Sequence, residues 1–191
     1  MIKMVIFISG RGSNMEALIR ATQEGILKGI AEPVLVFSNQ PEALGLTLAQ
    51  ALGVPTLSLD AQGLKRTAYD QKVIEILKDY AFDYLILAGY MRILSSEFIC
   101  NFPQKIINIH PADTRLHQGL HAYEWAFQNQ MSETKVTVHY VNEGVDTGQI
   151  IAQTTVDLSG AQTLDEVEQR GLAIEHQFYA QTLKELFLKN E

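Results

Sequence analysis

Met1-Ile2-Lys3-Met4-Val5-Ile6-Phe7-Ile8-Ser9-Gly10-Arg11-Gly12-Ser13-Asn14 opens the chain, and its reading decides the fold. The short, mostly apolar run 3–9 fits a first buried strand and is too short for the apolar stretch of a secretory leader. Gly10 and Gly12 supply freedom for a tight turn, and over 14–24 apolar residues return at helical spacing. Strand, glycine turn and helix make the first unit of a parallel α/β sheet.

The same alternation continues outward. Short apolar runs at 33–37, 56–59, 84–88 and 106–109 are separated by helical stretches at 43–52, 64–78 and 95–101. This is the signature of an α/β fold with a doubly wound, mostly parallel sheet and helices on both faces. Beyond residue 110 the pattern changes. A helix over 121–130 leads to strand-like runs at 134–141 and 149–156, joined by Asn142-Glu143-Gly144-Val145-Asp146-Thr147-Gly148. A hairpin or a crossover satisfies that join, and either puts Asp146 on a loop. A last helix spans 163–187, where Thr163 and Glu166 have the spacing of a capping box, as Ser13 and Glu16 do at the first helix. No repeat or composition shift divides the chain, so 1–191 reads as one domain.

Apolar residues at 47% and charged residues at 19% suit one well-packed core and exclude wholesale disorder. A net charge of −7 lacks the electrostatic footprint of a protein gripping a phosphate backbone, so nucleic acid is not an expected partner. It still allows one small anion held by local donors. The single cysteine, Cys100, cannot close an internal disulfide, which fits a reducing cytoplasm and disfavours cysteine-rich zinc sites. No stretch approaches the length of a membrane span, so no membrane partner is expected.

Ser9-Gly10-Arg11-Gly12-Ser13-Asn14 either binds an anion through amides at a helix start or is a tight strand-to-helix turn, and the residues leave both open. It is no P-loop, since no Gly-Lys-Ser/Thr follows. As a dinucleotide fingerprint it fails, because Met15 replaces the third glycine and Ser38-Asn39 end the second strand without a ribose-binding acid. Arg11 and Arg66 are candidate charge partners for ligands, although most arginines are solvated.

Asn108-Ile109-His110-Pro111 closes the fifth run. Asn108 and His110 hold alternate positions, so in a strand they face the same way at the end of the sheet. With the carboxylate of Asp146 they are the groups needed to polarise a carbonyl, shuttle a proton and hold a histidine charged. That favours an enzyme over a binding module. The plainer reading is a pair of strand-end polar residues and a turn-forming aspartate. Asp146-Thr147-Gly148 also spells the aspartic protease triplet, which needs a second copy or a dimer on an all-β fold, and the chain has neither the copy nor the pattern. His117, His121, His139 and His176 fit no standard zinc spacing, so no metal is expected. His139 alternates within a strand and reads as packed or solvent-facing.

Five stretches in order resemble the folate-dependent formyltransferases over 4–180: Ile8 to Asn14, Leu87-Ala88-Gly89-Tyr90-Met91-Arg92-Ile93-Leu94, Asn108 to Pro111, Gly144 to Gly148, and Glu175-His176. The likeness is strongest to the branch that formylates glycinamide ribonucleotide in purine synthesis. It implies a Rossmann-like formyltransferase domain that transfers a formyl group from 10-formyltetrahydrofolate, without a metal, to that amine. The backbone of Gly12, Ser13 and Asn14 would hold the substrate phosphate, and Glu175 the sugar or glycinamide end. Met91, Arg92, Ile93, Leu94 and the loop from Val141 to Asp146 would wrap the folate pterin, with Asn108 also touching the folate and Arg66 near its benzoyl-glutamate tail. Asn108, His110 and Asp146 would be catalytic. In that scheme Asn108 and protonated His110 donate to the oxygen of a tetrahedral intermediate. Asp146 raises the pKa of His110, and a water relays the proton. Two small-molecule substrates and a monomer or homodimer follow from the same likeness.

One stretch departs from the family. After the His-Pro pair relatives read Ser-Leu-Leu-Pro, a basic and an aromatic residue, then Pro-Gly. Here Ala112-Asp113-Thr114-Arg115-Leu116-His117-Gln118-Gly119 fills the same length. Both prolines and the apolar anchors are replaced, and Asp113 either repels a phosphate or pairs with Arg115. Gly119 and His121 keep the family pattern, and Thr137 stands where the family has a site hydroxyl. Rival readings are a formyltransferase for another amine such as a sugar nucleotide, a formyltetrahydrofolate hydrolase, and a silent folate-binding paralogue. The hydrolase carries an extra N-terminal domain, whereas strand one here begins at residue 3. A silent paralogue needs no catalytic trio. The negative charge, and a tail stopping at Glu191 with no further domain, disfavour a methionyl-tRNA formyltransferase.

Overall fold

Strand β1 (Ile2–Ile8) is the middle of the molecule, and Met4 through Ile8 are wholly buried. The computed structural model describes residues 1–61 and 63–189, so Gln62, Asn190 and Glu191 of the expected domain lie outside the described residues. After β1 come α1 (Ser13–Gln23), β2 (Ala31–Ser38), α2 (Leu44–Ala51), β3 (Thr56–Ser58), α3 (Arg66–Leu77), β4 (Tyr84–Leu87), α4 (Ser96–Asn101) and β5 (Ile106–His110). Helix α5 (Ala122–Gln128), β6 (Glu133–Tyr140), β7 (Ile150–Asp157) and α6 (Leu164–Lys189) complete the order.

The strands form one sheet in the order β3-β2-β1-β4-β5-β6-β7. The first five are parallel, while β6 runs antiparallel to β5 and β7 antiparallel to β6. Side-chain alternation along β1 divides the core between two layers. Met4, Ile6 and Ile8 pack with Met15, Leu18 and Ile19 of α1 and with Tyr179, Leu183 and Phe187 of α6. Val5 and Phe7 pack with Tyr69, Val73 and Ile74 of α3 and Phe98 of α4. Helices therefore cover both faces, as the continuous apolar strands require.

Strand order reverses direction between β1 and β4, and a crevice opens beyond the carboxyl ends of strands at such a point. The loops leaving those strands are tied together there. Ser9 N–H donates to the Gly89 carbonyl at 3.0 Å, and Met91 N–H donates to Ser9 Oγ at 2.8 Å. The join left open in the sequence is a hairpin, with Lys135 opposite Thr155.

Two caps differ from expectation. Thr163 Oγ1 accepts from Glu166 N–H at 3.2 Å, but Glu166 reaches back to Gln162 N–H at 2.7 Å, one residue before the expected donor. At α1 no capping box forms. Gly12 occupies the cap in a left-handed conformation (φ 77°), which makes Ser13 already helical, and Glu16 turns to Arg20 at 2.9 Å. The Glu16 carboxylate is thus drawn along the helix. Among the described residues, no helix is long and apolar enough to cross a membrane.

Candidate active site

The end of β5 and the β6–β7 loop build the site. Asn108 and His110, two residues apart on β5, meet β6 in a register that sets Asn108 opposite His139 and His110 opposite Thr137. Asp146 lies in the hairpin loop with φ 50°, a left-handed conformation that aspartate tolerates better than most residues. Its side chain comes back onto β5.

There Asp146 Oδ2 lies 3.3 Å from His110 Nδ1 and accepts Gly119 N–H at 2.8 Å. Asp146 Oδ1 accepts from Asn108 Nδ2 at 3.3 Å and lies 3.4 Å from His139 Nε2. His139 Nδ1 sits 2.8 Å from the Tyr140 carbonyl, so that nitrogen carries a proton and donates. The same His139 Nε2 lies 3.3 Å from Asn108 Nδ2. The Asn108 contacts are longer than the usual 2.9–3.0 Å or so, and either can be exchanged for a ligand oxygen.

Burial pushes the Asp146 carboxyl up, but the contacts with His139, His110 and Gly119 outweigh it and hold the group below the ordinary carboxylate range. His110 moves the other way from expectation. Burial lowers its pKa, and the Asp146 carboxylate and His117 carbonyl only partly restore it. The cost of burying the imidazolium exceeds the gain from the paired carboxylate. The expected raised histidine is therefore corrected to a lowered one.

A cleft of about 360 Å³ stands over these groups. Tyr90, Met91, Arg92, Ile93 and Leu94 form one wall, Val141 to Asp146 another, and Asn108 and His110 line it with Gly119 and His121. The expected folate residues Met91, Arg92, Ile93, Leu94, Asn108 and Val141 are thus brought together. Arg92 lies over the Tyr69 ring at 4.4 Å. Arg66 is not among the cleft residues; it is exposed at the start of α3.

The glycine loop belongs to a second constellation. A Cβ on Gly12 would come within 3.0 Å of the Gly45 backbone, so the loop and α2 pack as only glycines permit. Asn14 Nδ2 donates to Glu175 Oε2 at 2.7 Å, while Tyr123 Oη donates to Glu175 Oε1. Burial raises the Glu175 pKa against both hydrogen bonds. Glu175 therefore joins α6 to the loop and to α5, and Asn14 Oδ1 is buried with no protein partner. Sequence reasoning missed Tyr123, and it missed His139 as a neighbour of the trio. The signal for His139 was its register opposite Asn108, which needs the antiparallel pairing.

The stretch 2–183 matches the formyl transferase family. The chain belongs to that family. This formyl transferase is 34% identical to phosphoribosylglycinamide formyltransferase of Bacillus subtilis over 96% of its own length and 94% of that protein's. It is 37% identical over 95% of its length to the trifunctional purine biosynthetic protein adenosine-3 of Drosophila melanogaster, of which it spans only 14%. The crystal structure of phosphoribosylglycinamide formyltransferase from Brucella melitensis superposes with a TM-score of 0.90 at 39% identity, covering 97% of this chain and 95% of that one.

Proposed function

We propose that this formyl transferase moves the formyl group of 10-formyltetrahydrofolate to the amine of glycinamide ribonucleotide, the step of purine biosynthesis for which its relatives are named. The observation that carries this reading is the convergence of Asn108, His110 and Asp146 at the base of one cleft. Met91 and Ile93, both largely exposed, give that cleft an apolar wall suited to a flat heterocycle, while Arg92 and the loop backbone offer polar edges. The ribonucleotide phosphate takes the backbone amides at Gly12, Ser13 and Asn14, which start α1. Glu175 orients the sugar end through Asn14, and Arg66 meets the glutamate tail where it leaves the cleft.

As the amine attacks the formyl carbon, negative charge grows on the formyl oxygen. Asn108 Nδ2–H and the Nε2–H of His110, shared with the His117 carbonyl, donate to it, a contribution of roughly 2.7–4 kcal/mol per well-placed donor. Asp146, ionised, supports the imidazole as it gains charge. One proton leaves the attacking nitrogen and one reaches the departing folate nitrogen, relayed by Asp146 and a water, so no net proton is consumed. Residues 1–191 act as a single catalytic domain, monomeric or homodimeric, in a cytoplasm that keeps the exposed thiol of Cys100 reduced.

The test is loss of the formyl group from 10-formyltetrahydrofolate with and without glycinamide ribonucleotide. Turnover only with the nucleotide is expected. Equal turnover without it would make the enzyme a hydrolase, and folate binding without turnover would move the acceptor to another amine or make the protein a silent binder.

A further inference from the structure

Residues 112–116, in the loop between His110 and α5, have no part in the roles above, yet they are tied to the site. Asp113 is only 6% exposed, and the carboxylate left undecided by the sequence is paired. Its Oδ1 accepts Arg115 N–H at 3.1 Å, Arg115 Nε at 2.9 Å and Gln153 Nε2 at 3.4 Å. Its Oδ2 accepts Arg115 Nη2 at 2.8 Å and Lys135 Nζ at 2.9 Å. Gln153 Nε2 also donates to Thr137 Oγ1 at 2.8 Å, and Thr137 donates to the Ala112 carbonyl at 2.6 Å. Asp113 and its neighbour are therefore stitched to β6 and β7.

From Asp113 the bonds lead back to the imidazole. The Asp113 carbonyl accepts Leu116 N–H at 2.8 Å and His117 N–H at 3.0 Å. The His117 carbonyl, held by that turn, lies 3.1 Å from His110 Nε2. We propose that Asp113 is a positioning residue for His110, acting through the His117 carbonyl; the inference rests on the formyl-transfer reading of the site.

The physical need is specific. Asp146 alone accepts from either ring nitrogen, so a flipped imidazole would satisfy it equally. A carbonyl fixed at Nε2 removes that freedom and leaves Nδ1 on the carboxylate. Nothing in 112–119 restrains the loop by ring closure, since it contains no proline. Its order comes from the backbone turn on the Asp113 carbonyl and from side chains, and the Asp113 carboxylate, with Gln153 and Thr137, anchors that turn to β6 and β7. The groups facing His110 are Asp146, His139 and the His117 imidazole, whose ring lies nearly parallel at 6.2 Å and leans on Trp125. Side chains of Arg115 and Lys135 are 66% and 32% exposed, so losing Asp113 strands neither charge in the core.

The test compares the wild type with Asp113→Ala, Lys135→Met and Arg115→Gln. The readouts are kcat, the folate KM and nitrogen-15 spectra that report which ring nitrogen of His110 carries the proton. Misplacement by an ångström can cost on the order of 10²-fold in rate, and a fall in kcat approaching that is expected for Asp113→Ala, with the folate KM nearly unchanged. The Nε2–H signal of His110 should be averaged or lost. Lys135→Met should move both readouts the same way but less, which keeps the test open if Asp113→Ala does not fold. Arg115→Gln, which leaves Lys135 and Gln153 in place, should have the smallest effect. Unchanged spectra in folded Asp113→Ala would overturn the proposal, whether or not kcat fell. A wild type inactive with both substrates would overturn the formyl-transfer reading instead, while the spectra would still decide the positioning role.

Discussion

His110 is buried between acceptors on both ring nitrogens, and only the imidazolium satisfies both at once. Burial resists that charge even beside the Asp146 carboxylate, so further negative charge, such as that growing on a formyl oxygen, is what favours the imidazolium. His110→Ala removes the donor, and Asp146→Asn removes the charge that balances it. Each is expected to lower kcat by at least about 10²-fold, the usual cost of losing one such group, with circular dichroism unchanged. Near-normal turnover in either folded variant would remove that residue from the mechanism. The trio was legible because strand spacing puts Asn108 and His110 on one side and the resemblance names Asp146. His139 was not legible, since a histidine in a strand looks alike whether it packs or orients an amide.

Among the elements, the β6–β7 hairpin decides where Asp146 goes. Gly148 sits where the loop rejoins β7, and a Cβ there would collide with the Tyr140 carbonyl. Gly148→Ala must therefore spread the loop. Overpacking of this kind costs roughly 1–3 kcal/mol, and the expected result is a lower Tm together with reduced kcat, because Asp146 moves with the backbone. A variant with wild-type Tm and rate would show that the loop adjusts freely. Element existence and order were readable from alternation of apolar runs with helical periods. The capping boxes were less so, because the same Ser-x-x-Glu spacing is used differently once Gly12 takes the left-handed cap.

Over the whole molecule, buried ionisable groups set the response to pH. His110 and His176 are both lowered by burial, so the unfolded chain binds more protons near and below about pH 6.5. Their contribution to stability is present above that pH and lost as pH falls. Asp113, lowered chiefly by its bond from Arg115, and Asp146 add a second loss below about pH 4. Glu175, raised by burial, works in the opposite sense, losing its contribution as pH rises. Tm measured from about pH 7.5 downward should fall through the histidine range, and His110→Asn should flatten that part of the curve. An unaltered slope in the variant would mean that His110 titrates alike folded and unfolded.

The sequence by itself determined the strands, the helices and the sheet class, and it singled out Asn108, His110 and Asp146 as candidates, because apolar periodicity, turn residues and short motifs are local and need no partner to be read. Tertiary structure alone decided the antiparallel register that brings His139 to Asn108, the pairing of Asp113 with Arg115 and Lys135, and the sign of the His110 shift. Each depends on groups distant in the chain and on how deeply packing buries them, and neither is written in any single stretch of residues.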